Sequence, residues 1–239
     1  MKSKLAIVTV HAGDTKNLIE TIKSVNSQNL KPDLHLIVSK NFDNKILMYK
    51  KKYNKFIFKK DKSIYNAMNI GLKYTKNYFL IFLNSGDYLY SKNVIKIIKE
   101  NISIYKKKCL NFKTILKYEK KTFIIKDKVF SSKNFYSHPS FIRPPVRKPI
   151  YFSENYKILS DGIWMSENRN LFGIQKINDI ITVHTLGGVS SNPSFFSIKD
   201  NFKFSFKSGI KEIIKFYIKI FARNKKYYEI IFNRNYIIK

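Results

Sequence analysis

The tightest constraint on this chain is a pair of short, unbroken apolar runs at residues 5–10 and 78–83, each rich in β-branched or aromatic side chains. Runs of this length with no polar alternation belong to strands covered on both faces, so helices must flank a central sheet. The segments between them fit that demand. Asp14 or Thr15 can cap a helix in which Leu18, Ile19, Ile22 and Val25 recur at helical spacing. Residues 34–38 read as a second strand, 46–53 as a helix, 56–58 as a brief third strand, and 63–74 as a helix with Ile64, Ala67, Met68, Gly71 and Leu72 on one side. Strand, helix, strand at this rhythm implies parallel pairing with right-handed crossovers. Further on, residues 93–102 and 160–168 read as helices, 110–118, 122–126 and 180–184 as strands, and 137–149 as mostly loop, with Gly187-Gly188 flexible.

At 239 residues and 44% hydrophobic content the chain suits one large α/β domain with an appendage. Its 46 Lys and Arg against 16 Asp and Glu leave a net charge of +30, which attracts polyanions. Heavy use of Lys, Asn, Ile, Phe and Tyr is equally what a strongly AT-biased genome produces. The lysines are scattered through helices rather than interleaved with aromatics on one sheet, so nucleic acid is not the expected partner. Cys109 rules out an internal disulfide, fits a reducing compartment, and reads as a packed strand position. No apolar stretch is long enough for a signal h-region or a spanning helix.

Two groups of residues carry chemistry. The 78–83 run stops at Asn84-Ser85-Gly86-Asp87, and in open α/β sheets ligands gather beyond the carboxyl ends of the strands. A carboxylate there can hold a hard divalent cation together with phosphate oxygens, although Asp after Gly is also common in ordinary turns. Asn66 and Asn69, three apart near a helix start, project at one edge where their amides can grip ribose, base or sugar hydroxyls.

Joined together, residues 61–90 (DKSIYNAMNIGLKYTKNYFLIFLNSGDYLY) resemble the signature of short bacterial family-2 glycosyltransferases of polysaccharide biosynthesis, D-x-G-[IV]-Y-D-A-M-N-K-G followed by a hydrophobic strand and L-N-[SA]-G-D. His138-Pro139-Ser140-Phe141, Ser160-Asp161 and Leu186-Gly187-Gly188-Val189-Ser190-Ser191 resemble later elements of that family in the right order, so the likeness covers about residues 4–192. It implies a GT-A (Rossmann-like) fold, a mixed and mainly parallel sheet flanked by helices, a nucleotide-diphosphate sugar donor and Mn²⁺ or Mg²⁺. Asp87 takes the metal role, with Asn84 and Ser85 beside it and His184 as a late histidine that completes the shell in some such enzymes. Asp161 matches the general base of a one-step inverting transfer, helix capping being the alternative. The resemblance also implies donor contacts from Thr9, Val10 and His11 at the end of the first strand and from Asp61, Lys62, Tyr65, Asn66 and Asn69. His138 and Arg143 are placed toward the acceptor or its diphosphate. Three positions depart from the pattern. Ser39 stands in the segment where the family ends its second strand in Asp, Ser63 where it has Gly, and Asn66 where it has Asp, which keeps a catalytically inactive homologue open beside a basic nucleic-acid-binding protein.

From Gly209 onward Ile210, Ile213, Ile214, Tyr217, Ile220 and Phe221 share one face and Lys211, Lys215, Lys219 and Arg223 gather opposite. Residues 1–195 are therefore expected to form the GT-A domain and 196–239 a basic amphipathic helical extension. That extension either packs on the domain or lies on an anionic membrane surface. The expected setting is cytoplasmic, peripheral at the inner face of the membrane, with a glycan or polyprenyl-diphosphate-linked acceptor. A homo-oligomer is compatible with the sequence.

Overall fold

The computed structural model describes residues 3–41, 43–59, 62–118, 121–125, 127–131, 138–186, 194–221 and 236–238. In chain order the first half comprises β1 (Leu5–His11), α1 (Thr15–Asn26), β2 (Leu34–Ser39), α2 (Asn44–Leu47), β3 (Asn54–Phe58), α3 (Ile64–Tyr74), β4 (Phe79–Phe82), β5 (Tyr88–Leu89) and α4 (Val94–Ile104). The second half comprises β6 (Cys109–Tyr118), β7 (Lys121–Ile125), α5 (Asp127–Phe130), a 3-10 turn (His138–Ser140), β8 (Phe141–Arg143), α6 (Ser160–Phe172), β9 (Ile174–Thr185), α7 (Phe195–Phe204), α8 (Phe206–Phe221) and β10 (Tyr236–Ile238).

The strands form one sheet in the order β10-β7-β6-β8-β4-β1-β2-β3, with β9 on the other edge of β6 and β5 paired to β9. β1, β2, β3 and β4 run parallel, and β8 enters antiparallel between β4 and β6. This is the mixed, largely parallel α/β arrangement expected.

The absence of polar alternation in β1 has a direct cause. Ala6, Val8 and Val10 face a cluster with Met68 and Leu72 of α3 and Trp164 of α6, while Leu5 and Ile7 face a second cluster with Ile95 and Ile98 of α4. Each such side chain removed from water contributes about 1.5–3 kcal/mol. α3 lies close on the sheet because Gly71 has no Cβ, which would stand 2.6 Å from Val8 Cγ1. Asp14 and Ser63 cap α1 and α3, accepting from the backbone N–H groups of Lys16 and Asn66.

Several expectations are corrected. The expected 46–53 helix is a single turn, Asn44–Leu47, after which the backbone continues in tighter bonds from Tyr49 N–H to the Ile46 carbonyl and from Lys50 N–H to the Leu47 carbonyl. The 137–149 loop contains a central strand, β8, whose Phe141 and Ile142 are buried. Within 196–239 the structure places two helices, α7 and α8, and adds a short strand, β10, antiparallel to β7. Gly187-Gly188 and the Val189-Ser190-Ser191 segment lie outside the described residues, as does Arg223. Among the described residues no helix is long and apolar enough to cross a membrane.

One buried group gives the fold a pH dependence. His35 on β2 is wholly buried, with Nε2 2.9 Å from Thr9 Oγ1, and burial pushes its pKa from 6.5 down to about 3. Between those values the unfolded chain holds a proton that the folded chain lacks. Stability is therefore fully present above pH 6.5 and is lost as pH falls, by up to about 1.4 kcal/mol per pH unit. Urea midpoints measured from pH 7 to pH 4.5 should fall, and the fall should be shallower in His35→Gln. Equal slopes in the two proteins would show that His35 titrates at its ordinary value.

Candidate donor and metal site

The carboxyl ends of β1 and β4 meet at the Asn84–Asp87 turn. Gly86 there adopts φ +98, a left-handed conformation that favours glycine. α1 braces the turn through Thr21, whose hydroxyl accepts from Gly86 N–H at 3.0 Å and donates to the Asp87 carbonyl at 2.7 Å. β9 closes it from the other side, where Thr185 Oγ1 donates to the Gly86 carbonyl at 3.0 Å.

Asp87 is 3% exposed. Its Oδ1 meets His184 Nδ1 at 2.7 Å and accepts from Thr185 N–H at 3.3 Å. A carboxylate sealed in an internal ion pair would by itself argue against a ligand role. Two facts point the other way. The partner is the histidine nominated for the same metal shell, 97 residues away in sequence. The second oxygen, Oδ2, is buried with no hydrogen-bond partner among the described residues, and so is Asn84 Oδ1. A buried carboxylate oxygen left without a donor is costly, and a cation would relieve that cost. Burial opposes a charge on His184, but the Asp87 charge and hydrogen bond outweigh it and Asp161 adds to them, so its pKa is raised. Asp161 thus lies within electrostatic reach of the pair.

One carboxylate and one imidazole, with an amide oxygen nearby, suit a divalent ion whose remaining ligands are phosphate oxygens and water. Among the described residues there is no group of three or more His, Cys, Asp or Glu that could hold a metal.

β1 borders the turn on its other side. Val10 is buried and its carbonyl accepts from Ser85 N–H at 3.2 Å, while His11 Nδ1 lies 3.0 Å from Ser85 Oγ, tying the end of β1 to the acidic turn. Burial lowers the His11 pKa against the pull of Asp14 and Asp43. Asp43, half-buried and capping α2, is thus with Asp14 one of two acidic groups near His11, where Ser39 is spent on the Asn41 carbonyl at 2.7 Å. Thr9 does not reach this surface: it is wholly buried and bonded to His35.

Asn66 and Asn69 do meet at one edge, but the chain itself occupies their amides. Asn66 donates to Glu154 Oε1 at 2.9 Å, and Asn69 both accepts from Phe152 N–H at 2.8 Å and donates to its carbonyl at 3.0 Å. Tyr65 is buried against Phe152, its hydroxyl donating to the Ile158 carbonyl at 2.5 Å, so it shapes the segment before α6 rather than a sugar contact. Lys62 is exposed, and Asp61 lies outside the described residues.

Arg143 is corrected most sharply. It is wholly buried in β8, its guanidinium donating to the carbonyls of Pro144 and Thr75 at 2.7 and 3.2 Å, with burial pulling its pKa down to about 10. No acceptor phosphate can approach it. His138 is half-buried with Nε2 lacking a partner among the described residues. Asp161 is half-buried in the first turn of α6, where Leu159, not Asp161, is the cap. Its Oδ1 accepts from Gly162 N–H at 2.7 Å. Burial pushes the Cys109 thiol up to about 12 against the pull of Arg143, which makes it inert.

Sequence reasoning missed Thr21, Glu154 and Asp200. Thr21 had a signal, being a polar residue within the buried stripe of Leu18, Ile22 and Val25. The other two had none.

This mixed, mostly parallel sheet flanked by helices is a GT-A-type fold, shared with several solved glycosyltransferases. Among solved structures the chain is similar to S. aureus TarS 1–349 in complex with UDP, at 16% identity and TM-score 0.59 over 93% of this chain and 73% of that one. The same protein in complex with UDP-GlcNAc gives 16% identity and TM-score 0.60 over 93% and 74%. The mannosyltransferase PcManGT from Pyrobaculum calidifontis, in complex with GDP-Man and Mn²⁺, gives 6% identity and TM-score 0.60 over 90% of this chain and 65% of that one. At such identities the likeness establishes the fold alone. No protein-family profile matches the chain, and no curated protein does.

Proposed function

We propose that this protein transfers a sugar, with inversion, from a nucleoside-diphosphate donor to the hydroxyl of a glycan or lipid-linked acceptor, as in bacterial surface polysaccharide synthesis. A UDP-sugar is the donor we favour, because two of the similar structures hold UDP or UDP-GlcNAc. The observation that carries the reading is the convergence of Asp87 and His184, with Asp87 Oδ2 left unsatisfied, at the carboxyl ends of β1 and β4.

Asp87 and His184 would hold Mn²⁺ or Mg²⁺, which when bound neutralises charge on the departing diphosphate. Thr21 and Gly86 fix the turn so that the carboxylate needs no reorganisation. The end of β1 and Asp43 border the space for the nucleoside. Asp161 stands as the base that takes the acceptor hydroxyl proton while the oxygen attacks the anomeric carbon. A catalytically inactive relative is the second reading, favoured by the occupation of Asn66 and Asn69 by the 152–154 segment.

Thermal unfolding in the presence of UDP, GDP and dTDP, each with and without Mn²⁺, tests the reading. One nucleotide at a hundred times its Kd should raise the midpoint by about 5–10 °C, and only with metal. No shift with any nucleotide would remove the proposal.

A further inference from the structure

The amphipathic stripe of α8 was expected either to pack on the domain or to meet lipid. The structure shows which surface is spent. α8 turns Gly209, Glu212 and Phe216 inward, Gly209 so closely against the Phe202 ring of α7 that a Cβ would stand 2.4 Å away. Part of the stripe stays outside: Ile210, Ile214 and Tyr217 are 42%, 54% and 56% exposed, as is the neighbouring Phe206 at 73%, whereas Ile213 is half-buried and Ile218 packs against the cluster around Phe123. α7 continues this surface with Phe195 at 74%, beside an open groove of about 590 Å³ lined by Phe195, Ile198, Lys199, Phe202 and Lys203.

Water-exposed phenylalanines in this number are costly, and contiguous apolar surface on a soluble domain marks a contact. The lysines decide its chemistry. Lys199 and Lys207 are exposed along the same two helices, in a chain of net charge +30. Apolar side chains rimmed by cations suit a surface that is apolar beneath and anionic at its face.

We propose that the α7–α8 hairpin docks on an anionic lipid bilayer and holds the Asp161 end of the domain toward it. The orientation follows from the inner side of α7. Asp200, 2% exposed, accepts from the N–H groups of Lys157 and Ile158 at 2.5 and 2.7 Å, and Lys203 Nζ donates to the Asn155 carbonyl at 3.1 Å. These bonds fix the segment that opens α6 two residues before Ser160 and Asp161. A hairpin seated in the headgroup layer therefore brings that segment to the bilayer, and an acceptor carried by a lipid meets the base there. The acceptor consequence rests on the proposed transferase activity, whereas docking itself does not.

Flotation of the full chain with vesicles of phosphatidylcholine alone, or with one third phosphatidylglycerol, tests docking without any activity assay. The chain should float with the anionic vesicles, less so in high salt, and poorly with the neutral ones. Phe195→Ser combined with Phe206→Ser removes two exposed rings without opening a cavity, and should lower the partition by about tenfold or more. Lys199→Gln with Lys207→Gln should lower it by about tenfold for anionic vesicles only. Equal flotation of all variants, each folded by circular dichroism, would overturn the proposal. So would a wild-type dimer that the phenylalanine variant converts to monomer, because the patch would then be covered by a second copy.

Discussion

Replacing Asp87 with alanine is expected to lower sugar transfer by about a hundred- to a thousandfold, the scale on which loss of one preorganised charge-stabilising group acts. The carboxylate is buried, on a turn held by a left-handed Gly86 and braced by Thr21. Removal also strips His184 of the charge that raises its pKa, so the imidazole loses its partner in the same step. Asp87→Asn separates charge from packing: it keeps the size of the side chain but weakens the hold on a divalent ion. Release of nucleoside diphosphate from a panel of sugar donors, measured over a Mn²⁺ series, reads both variants. Activity within tenfold of wild type in Asp87→Ala would contradict the assignment.

The second large effect is expected at Asp161. In Asp161→Asn the acceptor hydroxyl loses its proton acceptor while the first turn of α6 keeps its shape, because the cap is Leu159 and the side-chain oxygen still accepts from Gly162 N–H. Transfer should fall by about 10²–10⁴-fold with nucleotide binding unchanged. A parallel loss of nucleotide binding would mean that Asp161 supports the fold of the site and is not the base. Asp161→Glu, which retains the carboxylate but shifts it outward, should recover part of the rate.

The reach of sequence reasoning follows the kind of interaction involved. Unbroken apolar runs locate β1 and β4 because burial on both faces leaves no polar alternation, and the stop at residues 84–87 marks the candidate site because strand ends are where ligands gather. Asp87 and His184 were named separately and the fold joins them, since β9 runs beside β6 and pairs with β5. What the sequence hid was the identity of each side chain's partner. Asn66 and Asn69 were read correctly as sharing an edge, but nothing local says that residues 152–154 fill it. Arg143 looked like a loop cation because Pro139 and Pro144 flank it, whereas the three residues of β8 slide between β4 and β6 and bury the guanidinium on carbonyl oxygens. Thr9 alternates inward on β1 and is consumed by His35, a cross-strand pairing set only by register. Long-range hydrogen bonding decided each of these cases, and periodicity carries no information about it.

The central claim is that Asp87 and His184 open toward one divalent ion held jointly with a diphosphate. Diffraction from crystals soaked with UDP and Mn²⁺, recorded at the manganese absorption edge, would locate that ion directly. The account predicts an anomalous peak within coordination distance of Asp87 Oδ2 and of a UDP phosphate oxygen; a UDP-bound crystal with the Asp87–His184 contact intact and no manganese at Asp87 would contradict it.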